Sequence, residues 1–311
     1  MDWLIPAAFA LDLLLGDPPM PHPVMLVGAV INRLEILFAS FFDNRRLAGA
    51  LLAALTLLVT GGLAWALLRL AAEIHPLAAL IVGIWLAYTT LALRALHRES
   101  REVVRCLEGK RPAEARRALA LIVGRETATL DEEGILRACI ETVAENTSSG
   151  VVAPLFYLAV GGPVLALLYK AAGTLDSMVG YRDDGYRELG WASARLDDLF
   201  NLLPARLTGM LMVLAAPLAG LRIRGAWRIM LRDARRHASP NAGFPEAAMA
   251  GALGVRLGGA AVYFGIRVEK ATLGDDAHPV SVADYHAAVR LMYLTSLLAL
   301  GLAVWLVAAA G

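Results

Sequence analysis

Long apolar runs alternate with two charged loops along this chain, and the runs predict most of its architecture. Residues 47–72 carry a single charge, Arg69, near their end. About 20 apolar residues suffice to cross a hydrocarbon layer of ~30 Å, so this run predicts a spanning helix. Residues 77–96 follow Pro76 and are similarly apolar, with Arg94 close enough to the end to snorkel to the headgroups. The two form an expected antiparallel hairpin. Residues 291–310 hold no charge at all and predict another span.

Three further runs are irregular. Residues 3–15 reach only about 20 Å as a helix and contain Asp12, which predicts an interfacial or tilted segment. Asp2 stands where a signal peptide would be basic, so the segment is expected to stay on the protein. Residues 151–172 are long enough to cross but are interrupted by Gly161-Gly162-Pro163, allowing one kinked span or two half-helices that dip in and return. Residues 202–221 contain Arg206 and Pro217 and predict a further span.

The loops set the orientation. Residues 97–150 hold nine Lys or Arg and residues 223–290 another nine, whereas 173–199 hold three, so the two rich loops are expected in the cytoplasm. If 151–172 and 202–221 both cross, residues 173–199 lie outside; a re-entrant 151–172 would bring them inside. The first loop reads as helical. Pro112 suits a first helical position, Gly124 can close that helix, and Thr129 with Glu132 has capping-box spacing for a helix over about 130–145. Arg137, Glu141 and Glu145 then stack on one face, which a solvated stripe of ion pairs also explains.

Composition agrees with the pattern. Apolar residues make up 58% and charged residues 18% of the 311, against about 25% charged in a soluble domain. The chain is expected to be an all-α, polytopic integral membrane protein with about 4–6 membrane segments. It forms a single domain over 1–311, with large helical cytoplasmic loops at 97–150 and 223–290. Cys106 and Cys139 have no CxxC or Cys-His spacing, which excludes a disulfide scaffold. A net charge of +1 gives no reason to expect nucleic acid.

The candidate chemistry is concentrated in the loops. Gly16-Asp17-Pro18-Pro19-Met20-Pro21-His22-Pro23 is stiff and fixes a carboxylate and an imidazole, which can bind metal or move a proton. Residues 173–199 bring six acidic side chains against three basic ones, among them Asp176, Asp183, Asp184, Asp197 and Asp198, a platform for a hard cation such as Mg²⁺. Arg232, Arg235 and Arg236 precede Ser239-Pro240-Asn241-Ala242-Gly243, and Pro245 opens an Ala-rich helix, expected to run to about 258, whose N-terminus favours an anion. That helix carries small residues at Gly254 and Gly258, spaced for close helix packing. An anionic-lipid anchor is the plainer reading of the arginines. His75, His97, His278 and His286 read as structural, the last two beside a Ser281/Asp284 cap. The nucleotide-loop, zinc-protease and nucleophile-elbow motifs are absent.

Taken together, Asp12-Leu-Leu-Leu-Gly-Asp17-Pro, Pro21-His22-Pro23-Val24, Ile122-Val-Gly-Arg125, Ala144-Glu-Asn-Thr147, Thr174-Leu-Asp-Ser-Met-Val-Gly-Tyr-Arg182, Trp191-Ala-Ser-Ala-Arg-Leu-Asp-Asp198, Pro204-Ala-Arg206 and Ser239-Pro-Asn-Ala-Gly243 resemble the CobD/CbiB family of adenosylcobinamide-phosphate synthases, in order from residue 12 to about 267. The resemblance implies a membrane ligase of cobalamin biosynthesis. It would join a carboxyl of adenosylcobyric acid to the amine of (R)-1-amino-2-propanol O-2-phosphate, consuming ATP with Mg²⁺. Residue chemistry and motif position make Asp17, His22 and Glu145 the candidates for catalysis, Asn146, Arg182, Arg195, Arg232, Ser239 and Asn241 for the substrate phosphates, and Asp176 and Asp197 for the metal. The expected partners are those two substrates, the lipid bilayer and other corrinoid-pathway enzymes, and the expected site is the cell membrane with a cytoplasmic active face. This sequence departs from the family pattern at Ser149, where Asp is usual, and at Gly173, where Asn is usual. The alternative is a membrane transporter, binding protein or scaffold for corrinoid precursors that performs no chemistry, with the Gly161-Gly162-Pro163 break as a midplane site.

Overall fold

The computed structural model describes residues 3–17, 22–180, 186–263 and 265–310, so Arg182 lies outside the described residues. In chain order the helices are α1 (Leu4–Leu15), α2 (Pro23–Phe41), α3 (Arg45–Ile74), α4 (Pro76–Tyr88), α5 (Leu93–Glu108), α6 (Pro112–Ala120) and α7 (Glu132–Thr147). After a π-helical turn at Ser148–Val152 come α8 (Ala153–Val179), α9 (Trp191–Phe200), α10 (Leu202–Ala215), α11 (Ile223–Asp233) and α12 (Gly243–Leu253). Four short strands precede α13 (Val282–Ala310): β1 (Leu257–Gly258), β2 (Ala261–Tyr263), β3 (Ile266–Val268) and β4 (Thr272–Leu273). The all-α membrane class expected from the sequence is therefore the observed one. Among the described residues, four helical runs are long and apolar enough to cross a membrane: Arg45–Ile74, Pro76–Glu108, Glu132–Val179 and Val282–Ala310. A fifth arises if α9 and α10 count as one bent span.

The chain divides into two compact units. The first comprises Met1–Ala92, Ala153–Asn201 and Leu300–Gly311. Here α3 packs against α2, α4, α8 and α9, and α1 packs on α4. Asn44 caps α3 by accepting from the Leu47 amide at 3.1 Å, and the helix is apolar on every face, as a lipid-exposed helix must be. His75 caps α4 through Nδ1, ahead of Pro76 at the first helical position. The span expected over 77–96 lies within Pro76–Glu108, and its helix is interrupted at Thr89-Thr90, whose hydroxyls donate back to the carbonyls of Leu86 and Ala87 and compete with the helical ladder. The Gly161-Gly162-Pro163 interruption becomes a kink inside α8. Gly162 sits at φ 67°, a left-handed conformation that suits glycine, and Pro163 supplies no amide to bridge it. Helix α2 has no counterpart among the expected segments, because Arg33 and Glu35 interrupt its apolar run.

The second unit comprises Leu93–Val152 and Leu202–Ala299. Helix α7 begins later than the capping-box reading placed it. Asp131, and not Thr129, is the cap, accepting from the Gly134 amide at 2.8 Å. Helix α12 stops at Leu253 instead of running to 258, since Gly254 adopts a left-handed C-cap with φ 80°. The residues beyond it pair as two antiparallel ladders, β1 with β4 and β2 with β3. The close helix packing is real but uses a different pair of glycines: a Cβ on Gly225 of α11 or Gly251 of α12 would collide with the other's carbonyl. Helix α13 starts at Val282, behind the expected cap in which Asp284 Oδ2 accepts from the Ser281 amide and hydroxyl at 2.9 and 2.6 Å.

Candidate functional site: a polar cavity in the second unit

Helix α7 delivers Glu141, Thr142, Glu145 and Asn146 to one wall of a cavity of about 260 Å³. The other walls come from Ile122–Arg125 after α6, His237 before α12, Glu246 on α12, and Gly258, Tyr263 and Lys270 around the strands. Three carboxylates and three basic side chains therefore line one small cavity.

Glu141 is committed to structure. It forms a buried ion pair with Arg125, and its other oxygen accepts from the Gly258 amide at 2.7 Å. Burial pulls the Arg125 pKa down, but the charge and hydrogen bond of Glu141 outweigh it and leave the net shift upward. That pair is incompatible with a solvated stripe, so at Glu141 the plainer reading of the Arg137, Glu141, Glu145 face is incorrect; Arg137 itself pairs with Glu133.

Glu246 is a buried acid of the cavity. Desolvation pushes its pKa well above the usual carboxylate range, and the nearby charges of Glu145 and Glu141 push it further, against the pull of Lys270 and Arg125. His237 Nδ1 accepts from the Ser239 amide at 3.0 Å, which places the ring proton on Nε2, 3.8 Å from Glu246 Oε2. Burial is the largest cause of the lowered His237 pKa, so the imidazole is held toward its neutral form. The Lys270 ammonium lies 4.8 Å from the centroid of the Tyr263 ring and donates to its hydroxyl.

Two of the anticipated residues, Glu145 and Asn146, line this cavity. Asn146 Nδ2 donates to the Thr142 carbonyl at 3.1 Å, and the Ser149 hydroxyl donates to Asn146 Oδ1 at 3.3 Å. The departure at 149 thus supports the amide that precedes it. The π-helical turn Ser148–Val152 follows two residues after Asn146, and such turns are frequent near functional sites. Ser239 and Asn241 belong to the loop closing the start of α12: Ser239 Oγ accepts from the Asn241 and Ala242 amides at 3.2 Å each, and Asn241 Oδ1 accepts from Arg206 at 3.2 Å. Two amides that an anion would have used are therefore occupied. Arg232 is held by Asp233 and by Asp275 at 2.7 and 2.8 Å.

Asp17, His22, Asp176, Arg195 and Asp197 belong to the first unit. His22 caps α2, its Nδ1 accepting from the Val24 amide at 3.2 Å, and burial lowers its pKa while Asp17 opposes the shift and Lys170 adds to it. Asp17 and Lys170 thus act on the same imidazole. Asp197 Oδ1 accepts from Asn201 Nδ2 at 2.9 Å, and Asn201 Oδ1 in turn accepts from the Tyr169 hydroxyl at 2.9 Å. A Cβ on Gly173 would stand 3.6 Å from Asp197 Oδ1, and Asp176 lies one turn further along the same face of α8. Arg195 is exposed and pairs with Asp198 at 3.4 Å.

Arg125 from one basic loop and His237 and Lys270 from the other line the same cavity, so the two loops come together in this unit.

The sequence over residues 5–292 matches the family described as CobD/Cbib protein. The chain belongs to the CobD/CbiB family. It is 55% identical over 287 residues to a Cobalamin biosynthesis protein CobD of Geobacter metallireducens, covering 92% of this chain and 90% of that protein. A Cobalamin biosynthesis protein CobD of Pelobacter propionicus is 50% identical, covering 93% of this chain and 90% of that protein. A Cobalamin biosynthesis protein CbiB of Salmonella typhi is 45% identical, covering 96% of this chain and 95% of that protein. No solved structure matches. This CobD/CbiB protein is thereby placed in cobalamin biosynthesis, in a membrane setting. The residues to which sequence reasoning gave no role are Arg125, Glu141, His237, Glu246, Tyr263 and Lys270. One signal for them existed: Glu246 is the only charged residue in the apolar stretch of α12, and a lone carboxylate inside a buried helix needs a reason.

Proposed function

We propose that the protein is the adenosylcobinamide-phosphate synthase, forming an amide between adenosylcobyric acid and (R)-1-amino-2-propanol O-2-phosphate at the expense of ATP. The observation that carries this reading is the cavity in which Glu145 and Glu246 stand with Lys270 and His237. A small zwitterion with an ammonium at one end and a phosphate at the other matches that charge pattern. The carboxylate of the corrinoid takes the γ-phosphoryl group and releases ADP. The amine then attacks the acyl carbonyl, and inorganic phosphate leaves.

The amine must lose a proton before it attacks. An approaching ammonium favours the ionised form of Glu246, and a carboxylate of raised pKa is a stronger base than an ordinary one. Glu145 supplies the second negative charge and Asn146 a fixed amide, while Lys270 and the His237 Nε2 proton face the phosphate. Charges fixed at these positions stabilise the charge that develops in the transition state.

Mg²⁺ neutralises triphosphate charge when bound. Among the described residues no group of three or more His, Cys, Asp or Glu is arranged as a metal cage. An ion that arrives on a nucleotide needs one or two carboxylates. Asp176 and Asp197 are the proposed pair, and the Tyr169, Asn201, Asp197 chain provides the outer support that orients a ligand. This role requires residues 173–199 to face the compartment that holds ATP. Asp17 and His22 are proposed as a proton-carrying pair in the first unit, and Arg182, Arg195, Arg232, Ser239 and Asn241 as phosphate contacts that would exchange present partners for substrate.

The test is to incubate the purified protein with both substrates, ATP and Mg²⁺. Amide product and ADP in equal amounts, each dependent on every component, are expected. Absence of product, together with substrate counterflow in liposomes, would establish the transporter reading instead.

A further inference from the structure

Helix α11 has three sectors. Ala226, Ile229, Met230 and Asp233 are buried, α11 packs against α12, and Gly225 makes the close contact with Gly251. A second sector consists of Ile223, Trp227 and Leu231, four residues apart and 41%, 43% and 61% exposed. A third, next to it, is the arginine row Arg224, Arg228 and Arg232, also at four-residue spacing. An apolar stripe of this size facing water would be costly, and the same helix presents cations along one edge of it.

The surroundings extend the pattern. The turn 216–220 joins α11 to α10, whose own Leu214 and the following Leu218 are 57% and 65% exposed. Beside the arginine row opens a cavity of about 590 Å³, lined by Arg222, Arg224 and Arg228, with Asp275 and Ala277 on the facing loop. Asp275 accepts from both Arg228 and Arg232. Arg222 donates to the Leu253 carbonyl at 3.2 Å, and Arg224 has no partner among the described residues. One carboxylate, Asp275, thus stands among the three arginines that line the recess, leaving it net positive at the edge of an exposed apolar stripe.

We propose that α11 is an interfacial helix seated in an anionic leaflet, with Ile223, Trp227 and Leu231 at the boundary of acyl chains and headgroups and with Arg224 and Arg228 on phospholipid phosphates. A tryptophan on such a stripe occupies the depth its amphipathic ring favours. Arginines extend from an apolar face toward phosphate while their stems stay buried. The chain already spans the bilayer, so the lipid surface is the partner present at every moment, and its anionic headgroups complement the recess. This proposal is independent of the ligase reading.

The full chain, in nanodiscs of phosphatidylcholine with phosphatidylglycerol, carries a bimane label at Trp227→Cys or Leu231→Cys. Quenching by headgroup-proximal doxyl lipids is expected at both positions. Doxyl-phosphatidylglycerol should be preferred over doxyl-phosphatidylcholine by about fivefold per contributing arginine. In an Arg224→Gln/Arg228→Gln background that preference should fall to parity while the label stays quenched. Quenching by aqueous iodide alone, disulfide cross-linking of Trp227→Cys between two copies, or a preference unchanged by the arginine substitutions would each overturn the proposal.

Discussion

Replacing Glu246 by Gln keeps the size and hydrogen-bonding shape of the side chain and removes only its ability to ionise. In the folded protein this carboxyl holds its proton well above the usual range because it is desolvated and faces Glu145 and Glu141. The unfolded chain releases that proton near pH 4.3 or so. Between those two values the folded state binds more protons than the unfolded one, so wild-type stability falls as pH rises. The loss is up to about 1.4 kcal/mol per pH unit until the raised pKa is passed. Glu246→Gln lacks this term. Its melting temperature should therefore match the wild type at about pH 4 and below and exceed it increasingly toward pH 8, by ~2–4 °C for each kcal/mol. Thermal scans in detergent across that range measure the divergence. The same variant should lose on the order of 10²- to 10⁴-fold in turnover, the usual contribution of a positioned base. Parallel melting curves combined with undiminished turnover would refute both the protonation argument and the role of Glu246.

The buried Arg125 and Glu141 pair gives a second test: Glu141→Ala should cost about 3–5 kcal/mol by leaving a buried guanidinium unpaired, whereas Arg125→Leu with Glu141→Leu should cost less, as thermal scans would show. Asp176→Asn and Asp197→Asn should reduce turnover far more than expression and raise the Mg²⁺ concentration needed for half-maximal rate. Wild-type rates in both would remove them from the metal. Arg187→Cys should react with an impermeant maleimide from the cytoplasmic side if those aspartates serve the nucleotide; labelling only from outside would assign residues 173–199 to the opposite compartment. Lys270→Met should raise the KM for the amino-alcohol phosphate more than it lowers kcat, since a phosphate contact mainly supplies binding, and steady-state kinetics would separate the two.

The apolar pattern made the membrane architecture legible because lipid imposes one rule on every spanning residue, and α3 and α13 follow it over their apolar lengths. Break positions were less visible. The Thr89-Thr90 interruption depends on hydroxyls bonding within one turn, and the end of α12 on a single left-handed glycine, neither of which changes the hydropathy of its neighbourhood. At the cavity, Glu145 and Asn146 were legible because their motif is local to α7. His237, Glu246 and Lys270 were not, because they come from separate segments and become a site only when the strands and the start of α12 fold over α7. Arg232 shows the converse: a basic residue in a promising motif is held by Asp233, its sequence neighbour, and by Asp275, a partner 43 positions away.

The chemical core of the proposal is that the corrinoid carboxylate is phosphorylated before the amine attacks. Adenosylcobyric acid labelled with ¹⁸O in both oxygens of the reacting carboxyl tests it directly, with the phosphate and the nucleotide analysed by mass spectrometry after one turnover. The account predicts one ¹⁸O in each inorganic phosphate released, the other retained in the amide, and none in ADP. Amide product accompanied by ¹⁸O-free phosphate would contradict it.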